Sequence, residues 1–317
     1  MDYISVIITA HDRKKFLLDA VNSVLHQTID RNNYEIIVVK NFHDFDDYLN
    51  EKNVKSIYTE EKPTGSKIAI GVEESRGDIL CFLDDDDMFT REKLEVVSKE
   101  FKIKDLIFYN NSRIFIDENG KILRDERAIR LESDGSKNLR KFLENMSYNL
   151  SSICIRKEAV DTKKLKNIGY TIDILMLYFA INYGGKLLRD SKKLTLYRLS
   201  QYNFFTYSHP MDLNTFIAKR RNDFAFGLKI SEKIKDEFKG SKAEKLALAE
   251  YLYDLFFYTI YSNTSLRNRL KSLEISSSYI LHNPSKYGIL LLGASILFFI
   301  SPYILYSILY RRYLKNI

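Results

Sequence analysis

The sequence predicts an α/β protein: a mostly parallel sheet with helices on both faces, followed by an α-helical C-terminal region with a membrane segment. Three observations support this. Strand and helix signals alternate through the first half of the chain, the pattern of a mostly parallel sheet covered on both sides. Residues 79–87, Ile-Leu-Cys-Phe-Leu-Asp-Asp-Asp-Asp, join the apolar run of a strand buried on both faces to four consecutive carboxylates. Residues 287–310 then carry no charge over 24 positions.

Residues 4–9 read as the first strand, and residues 14–27 as an amphipathic helix with Phe16, Leu17, Ala20, Val21, Val24 and Leu25 at helical spacing. Strands over 34–39 and 54–58, a helix over 66–76 and the buried strand over 79–83 follow. A helix over 91–101 and a strand over 105–110 complete the alternation. Glu118-Asn119-Gly120 is a hairpin signal. Residues 137–145 and 171–183 read as helices, and 152–156 and 193–198 as short strands. From Met211 onward the pattern is almost wholly helical, and the 255–261 run, Leu-Phe-Phe-Tyr-Thr-Ile-Tyr, is too apolar to leave in water.

The chain has 317 residues and is 45% hydrophobic, enough for a packed core and incompatible with global disorder. Cys81 and Cys154 lie in apolar strand patterns and read as buried free thiols of a reducing compartment. Met1-Asp2-Tyr3 leads straight into a strand with no basic n-region, so the α/β part is expected on the cytoplasmic face. Net charge is +7, and all of it belongs to residues 206–317, with 16 Lys/Arg against 9 Asp/Glu. The preceding part is balanced, has no nucleic-acid-binding motif and, like the whole chain, no Trp, which argues against a nucleic-acid partner. A basic excess beside an apolar segment suits an anionic membrane. The 287–310 segment is long enough to span a bilayer, and Tyr287, Tyr303, Tyr306 and Tyr310 suit interfacial positions. Pro302 within the run, and basic residues on both sides, leave a re-entrant hairpin or an interfacial helix open beside a single span.

Asp84–Asp87 fall at the carboxyl end of a buried strand, where open α/β sheets bind ligands. Adjacent carboxylates raise one another's pKa unless a cation offsets them, and a divalent metal holding a diphosphate is such a cation. The alternative is a solvated acidic turn that favours the following helix through its dipole, with Asp87 as its cap.

Residues 5–11, Ser-Val-Ile-Ile-Thr-Ala-His, 20–28, Ala-Val-Asn-Ser-Val-Leu-His-Gln-Thr, and 34–39, Tyr-Glu-Ile-Ile-Val-Val, resemble the opening of family 2 glycosyltransferases. Gly71 through Gly77-Asp78-Ile79 and Phe82-Leu83-Asp84-Asp85-Asp86-Asp87 continue the resemblance in order and spacing, over roughly residues 3–203. The resemblance implies a GT-A fold over 1–205, with a nucleotide-binding half over about 1–110 and an acceptor-binding half over 111–205. A helical basic region over 206–286 and the membrane segment over 287–310 would follow. It implies inverting transfer of a sugar from a nucleotide donor, a UDP-sugar first and a GDP-sugar second, with Mn²⁺ or Mg²⁺ as cofactor. The acceptor would be a lipid-linked or membrane-proximal glycan.

By the same resemblance Thr9, Ala10 and His11 sit against the nucleotide base. Asp86 is the direct metal ligand with Asp84, and Asp84 or Asp85 lies nearer the ribose, both counted as donor-binding. Lys67 lies near the donor, Arg198 offsets phosphate charge, and Asp173 is the base that deprotonates the acceptor hydroxyl. The structural alternatives are an exposed helix lysine for Lys67 and a helix N-cap for Asp173. The chain departs from the family pattern in four places: Lys40-Asn41 where a base-reading Asp pair is usual, Ser200 in place of a His, no Ala-Arg-Asn before Gly71, and Ile172 in place of the Glu before Asp173. Asn41 retains an amide able to meet a base edge, and His209 lies near Ser200 in sequence. These departures keep open a second class, a catalytically inactive membrane-bound relative that binds a sugar nucleotide or glycan.

Overall fold

A computed structural model describes residues 2–126, 129–135, 137–199, 211–282 and 286–314. The chain divides into two compact units, Met1–Ser200 and Gln201–Ile317.

The first unit is built on one ten-stranded sheet. Its strands are β1 (Ile4–Ala10), β2 (Tyr34–Lys40), β3 (Lys55–Tyr58), β4 (Ile79–Asp84), β5 (Met88–Phe89), β6 (Leu106–Ile116), β7 (Ile122–Asp125), β8 (Leu131–Ser133), β9 (Ile153–Arg156) and β10 (Lys186–Arg198). The helices between them are α1 (Leu17–Leu25), α2 (Asp46–Glu51), α3 (Thr64–Glu73), α4 (Lys93–Glu100), α5 (Leu139–Asn145), α6 (Thr162–Ile168) and α7 (Ile172–Tyr183). The order is β3-β2-β1-β4-β9-β6-β10-β5, with β7 added on β6 and β8 on β10.

The register puts Thr9 beside Asp84 across the parallel β1–β4 pair, so the carboxyl ends of both strands open on the same edge. Helices cover both faces of this half. Ile4, Val6 and Ile8 pack with Leu17, Val21 and Val24 of α1 and with Leu94 and Val97 of α4. On the other face α3 approaches so closely that a Cβ on Gly71 would stand 2.5 Å from Ile7 Cγ2. That contact explains a glycine inside a helix, where it otherwise lowers stability.

The sheet is mixed rather than mostly parallel. The β3-β2-β1-β4 half is parallel, but β9 runs antiparallel to both β4 and β6. β6 and β10 are longer than their apolar runs suggest, because buried polar residues such as Asn110, Asn111, Ser112 and Arg189 lie within them. The expected hairpin joins β6 and β7, with Gly120 at φ +82° and Asp117 Oδ1 accepting from the amides of Asn119 and Lys121 at 2.9 Å each.

The second unit is helical: α8 (Leu213–Glu237), α9 (Glu244–Ser262), α10 (Leu266–His282), α11 (Lys286–Ile300) and α12 (Pro302–Leu314). The 255–261 run packs inside this unit, with Phe256 and Ile260 fully buried and the Phe257 ring stacked 4.8 Å from Phe224. The expected membrane span does not form. The uncharged run breaks at Ser301, because Pro302 lacks the amide that would continue the helix and instead opens the next one. The pieces hold 15 and 13 residues, and among the described residues no helix is long and apolar enough to cross a membrane. Two of the tyrosines expected at a bilayer interface are tied into the unit: Tyr306 Oη donates to Ile260 O, and Tyr310 Oη to Met211 O at 2.5 Å.

Substituting Gly71 by Val should force α3 off β1 and lower the unfolding free energy by about 1–3 kcal/mol in urea titration. A variant as stable as the wild type would contradict the close approach.

Candidate functional site

The acidic motif forms a tight turn at the end of β4, closed by the Asp87 amide donating to Asp84 O at 3.2 Å. Its four carboxyl groups have separate environments. Asp84 and Asp85 are pushed up to about 7, in both cases chiefly by burial. The neighbouring Asp86 and the carboxyl of Asp173 raise Asp84 further, which places Asp173 in electrostatic reach of the turn. Arg13, in the loop after β1, forms ion pairs with Asp85 and with Asp86 Oδ2, the latter at 2.7 Å. The second oxygen of Asp85 is buried without a hydrogen-bond partner.

Asp87 does not cap the following helix, which begins after Glu92. It is 1% exposed and acts as a structural anchor. Its Oδ2 accepts from Ser151 Oγ at 2.6 Å and its Oδ1 from the Arg198 amide at 2.9 Å. Ser151 Oγ in turn accepts from the Asp84 amide at 3.0 Å. Behind it the buried Lys93 Nζ donates to Ser151 O at 2.5 Å and to Thr195 Oγ1 at 3.1 Å.

Arg198, at the end of β10, is directed inward. Its Nε donates to Asp86 O at 2.8 Å, its Nη1 to Glu118 O at 2.6 Å, and its Nη2 pairs with Asp19 at 3.2 Å. The guanidinium also lies 4.1 Å from the Phe16 ring centroid. It therefore holds the turn's backbone in place.

The remaining expected residues line the β1 side and the start of α7. Thr9 and Ala10 end β1 and are buried, and the His11 ring carries a buried Nδ1 with no partner. Asn41 is engaged with Asp12, donating from Nδ2 to Asp12 Oδ1 at 2.7 Å and accepting from the Asp12 amide at 2.9 Å. Lys40 turns away into α2 and pairs with Asp46 at 2.6 Å. Lys67 is 2% exposed rather than an exposed helix lysine, and its Nζ donates to Glu61 O and Lys62 O at 3.1 and 2.7 Å. Burial holds its pKa below the usual lysine value.

Asp173 lies in the first turn of α7, whose N-cap residue is Thr171, so it is not the cap. Thr171 holds φ +50°, rare for a β-branched residue, and its buried Oγ1 has no partner. This loop is fixed to the start of α3 by the Gly65 amide, which donates to Gly169 O at 2.9 Å. Burial raises the Asp173 pKa above the usual carboxylate value. Ser200 and His209 lie outside the described residues.

The family model for glycosyl transferase family 2 matches residues 5–163. The chain belongs to this family. Among curated relatives, an uncharacterized glycosyltransferase of Rickettsia bellii is 31% identical over 126 residues, 38% of this chain and 18% of its own length. YwdF of Bacillus subtilis, also an uncharacterized glycosyltransferase, is 31% identical over 128 residues, 37% of this chain and 45% of its own. The matches thus span less than half of these relatives. Among solved structures, S. aureus TarS 1–349 in complex with UDP-GlcNAc superposes with a TM-score of 0.57 at 14% identity, over 98% of this chain and 92% of that one. The same fragment in complex with UDP gives 0.56 at 14% identity. At this identity the likeness shows the fold, an α/β, GT-A-like mixed sheet with a helical C-terminal region.

For a family 2 member, the structure brings Asp84, Asp85, Asp86, Thr9 and His11 to one edge of the sheet, with Asp173 in electrostatic reach. It adds three residues that the motif reading did not identify. Arg13 is hidden as an isolated loop cation, Ser151 as one serine among several, and Asp12 as the residue just past the recognised strand.

Ser151→Ala should leave the Asp87 carboxyl buried with one partner fewer, lowering stability by about 1–3 kcal/mol in denaturant titration. An unchanged midpoint would show that Ser151 does not anchor the turn.

Proposed function

We propose that the protein is a metal-dependent, inverting glycosyltransferase that moves a sugar from a UDP-sugar to an acceptor hydroxyl. The observation that carries this reading is the acidic turn at the end of β4, held by Asp87 and Ser151 beside the end of β1, with the carboxyl of Asp173 in electrostatic reach of it. An inverting displacement needs a base opposite the leaving group. The UDP and UDP-GlcNAc of the TarS complexes support a uridine donor.

The acidic turn fits a hard divalent cation such as Mn²⁺ or Mg²⁺: its donors are carboxylate oxygens, and one of them, on Asp85, is buried and unpartnered. Among the described residues no three His, Cys, Asp or Glu side chains stand close enough to hold an ion alone. Asp86 with Asp84 would therefore hold it together with the donor's diphosphate. When bound, it supplies Lewis-acid stabilisation of the departing diphosphate. Arg13 must then release Asp86 or share it. Asp173 accepts the proton of the acceptor hydroxyl as its oxygen attacks the anomeric carbon, and the nucleoside diphosphate departs from the opposite face. Thr9, Ala10, His11 and the Asp12–Asn41 pair form the base-side wall.

The acceptor we propose is a lipid-linked or membrane-proximal glycan, because the second unit carries the whole basic excess beside its apolar helices. The unbridged thiols of Cys81 and Cys154, opposite each other across β4 and β9, support a reducing, cytoplasmic setting.

Transfer from UDP-sugars with Mn²⁺ should be abolished or fall by about 10²-fold or more in Asp86→Ala, a loss within the range of single-group electrostatic effects. Equal transfer by both proteins would refute the role of Asp86. Because burial raises the Asp173 pKa and only its ionised form accepts a proton, kcat should rise with pH on the acid limb. That limb should flatten once Asp173 is ionised, and a profile falling from acid pH upward would exclude a carboxylate base.

A further inference from the structure

The second unit has an apolar face that its own core does not cover. On α11 the buried stripe is Leu291, Ser295 and Phe298. The opposite stripe is apolar too: Ile289, Ile296 and Ile300 are 71%, 47% and 70% exposed. On α12, directly after the break, Tyr303, Ile304 and Ile308 are likewise 72%, 53% and 51% exposed. A helix that packs one face on a core and turns the other to water carries polar residues outward. An exposed apolar surface of this continuity marks an interaction site.

Charge identifies the partner. Residues 262–317 carry seven Lys/Arg against a single acidic residue, Glu274. Arg311 and Arg312 are exposed at the end of α12, directly after the apolar stripe. α10 and α11 run antiparallel, with Ser276 Oγ 2.9 Å from Ser295 Oγ and Arg269 Nη1 donating to Phe299 O at 3.2 Å. The start of α10, with exposed Arg267 and Lys271, therefore lies beside the end of α11 at Ile300. The apolar face is bordered by cations and by almost no acid.

We propose that the α11–α12 face docks in the plane of an anionic lipid surface. The isoleucines enter the acyl boundary and the arginines meet headgroup phosphates. At 15 residues α11 rises about 22 Å, less than the roughly 30 Å hydrocarbon core, so it lies on the bilayer and does not span it. A second copy of the chain suits the face less, because it would bring two strongly basic surfaces together. This inference deepens the membrane context proposed above, and it is read without any sugar transfer, so either can fail alone.

The test is co-sedimentation of the full chain with phosphatidylcholine vesicles containing or lacking phosphatidylglycerol. The wild type should sediment with anionic vesicles and bind neutral ones at least about tenfold more weakly, with added salt releasing it. The Ile289→Ser/Ile296→Ser/Ile300→Ser variant should lose about tenfold or more in binding while keeping the wild-type circular dichroism spectrum and melting temperature. Arg311→Gln and Arg312→Gln should each weaken binding about fivefold. Wild-type protein left in the supernatant with anionic vesicles overturns the proposal, as does a triple variant that binds like the wild type. A wild-type dimer in light scattering that the triple variant dissolves, with no vesicle binding, also overturns it and assigns the face to self-association.

Discussion

Asp87 is buried at the base of the acidic turn with both of its carboxyl oxygens hydrogen-bonded, and the position of the other three carboxyls depends on it. It joins the end of β4 to the segment before β9, through Ser151, and to the end of β10, through the Arg198 amide. Those elements are distant in sequence, so the turn is held by tertiary hydrogen bonds and not by its own local preference. A buried charged or polar group is tolerated only when its hydrogen-bonding capacity is met. Lys93 completes the arrangement from below by fixing Ser151 O and Thr195 Oγ1.

With Asp87 anchored, Asp84, Asp85 and Asp86 cannot separate to relieve their mutual repulsion. Burial, with their mutual repulsion added, pushes Asp84 and Asp85 up to about 7, and Arg13 is drawn across Asp85 and Asp86. The turn is thus a site preorganised for positive charge. Preorganisation of this kind lets an electrostatic site act without rearranging at the moment of reaction. On the other side, the strained Thr171 and the tie from Gly65 to Gly169 fix the approach of Asp173. Strain held at such a position is a recurrent property of reactive sites.

The parallel half of the sheet, α1 and the β4 acidic end were legible in the sequence because each is a local pattern: a β-branched run, a helical apolar stripe, an apolar run ending in acid. The mixed half, from β9 through β6 and β10, was less so. Asn110, Asn111, Ser112 and Arg189 are buried by partners far away in sequence, which no window of residues reports. The same limit applies to Arg198, which carries a phosphate-binding resemblance yet holds Asp86 O, Glu118 O and Asp19. In the 287–310 segment, length and hydropathy allowed a span while Pro302 left a re-entrant or interfacial helix open, and Pro302 decided the outcome by ending one helix and starting another.

The account stands most directly on the proposed role of Asp173 as the base, in electrostatic reach of the acidic turn. Its decisive measurement is Asp173→Asn, assayed in parallel for UDP binding by calorimetry and for sugar transfer. Wild-type UDP affinity with transfer reduced by about 10²–10⁴-fold is the predicted result. Transfer at the wild-type rate, with UDP binding intact, would contradict the account.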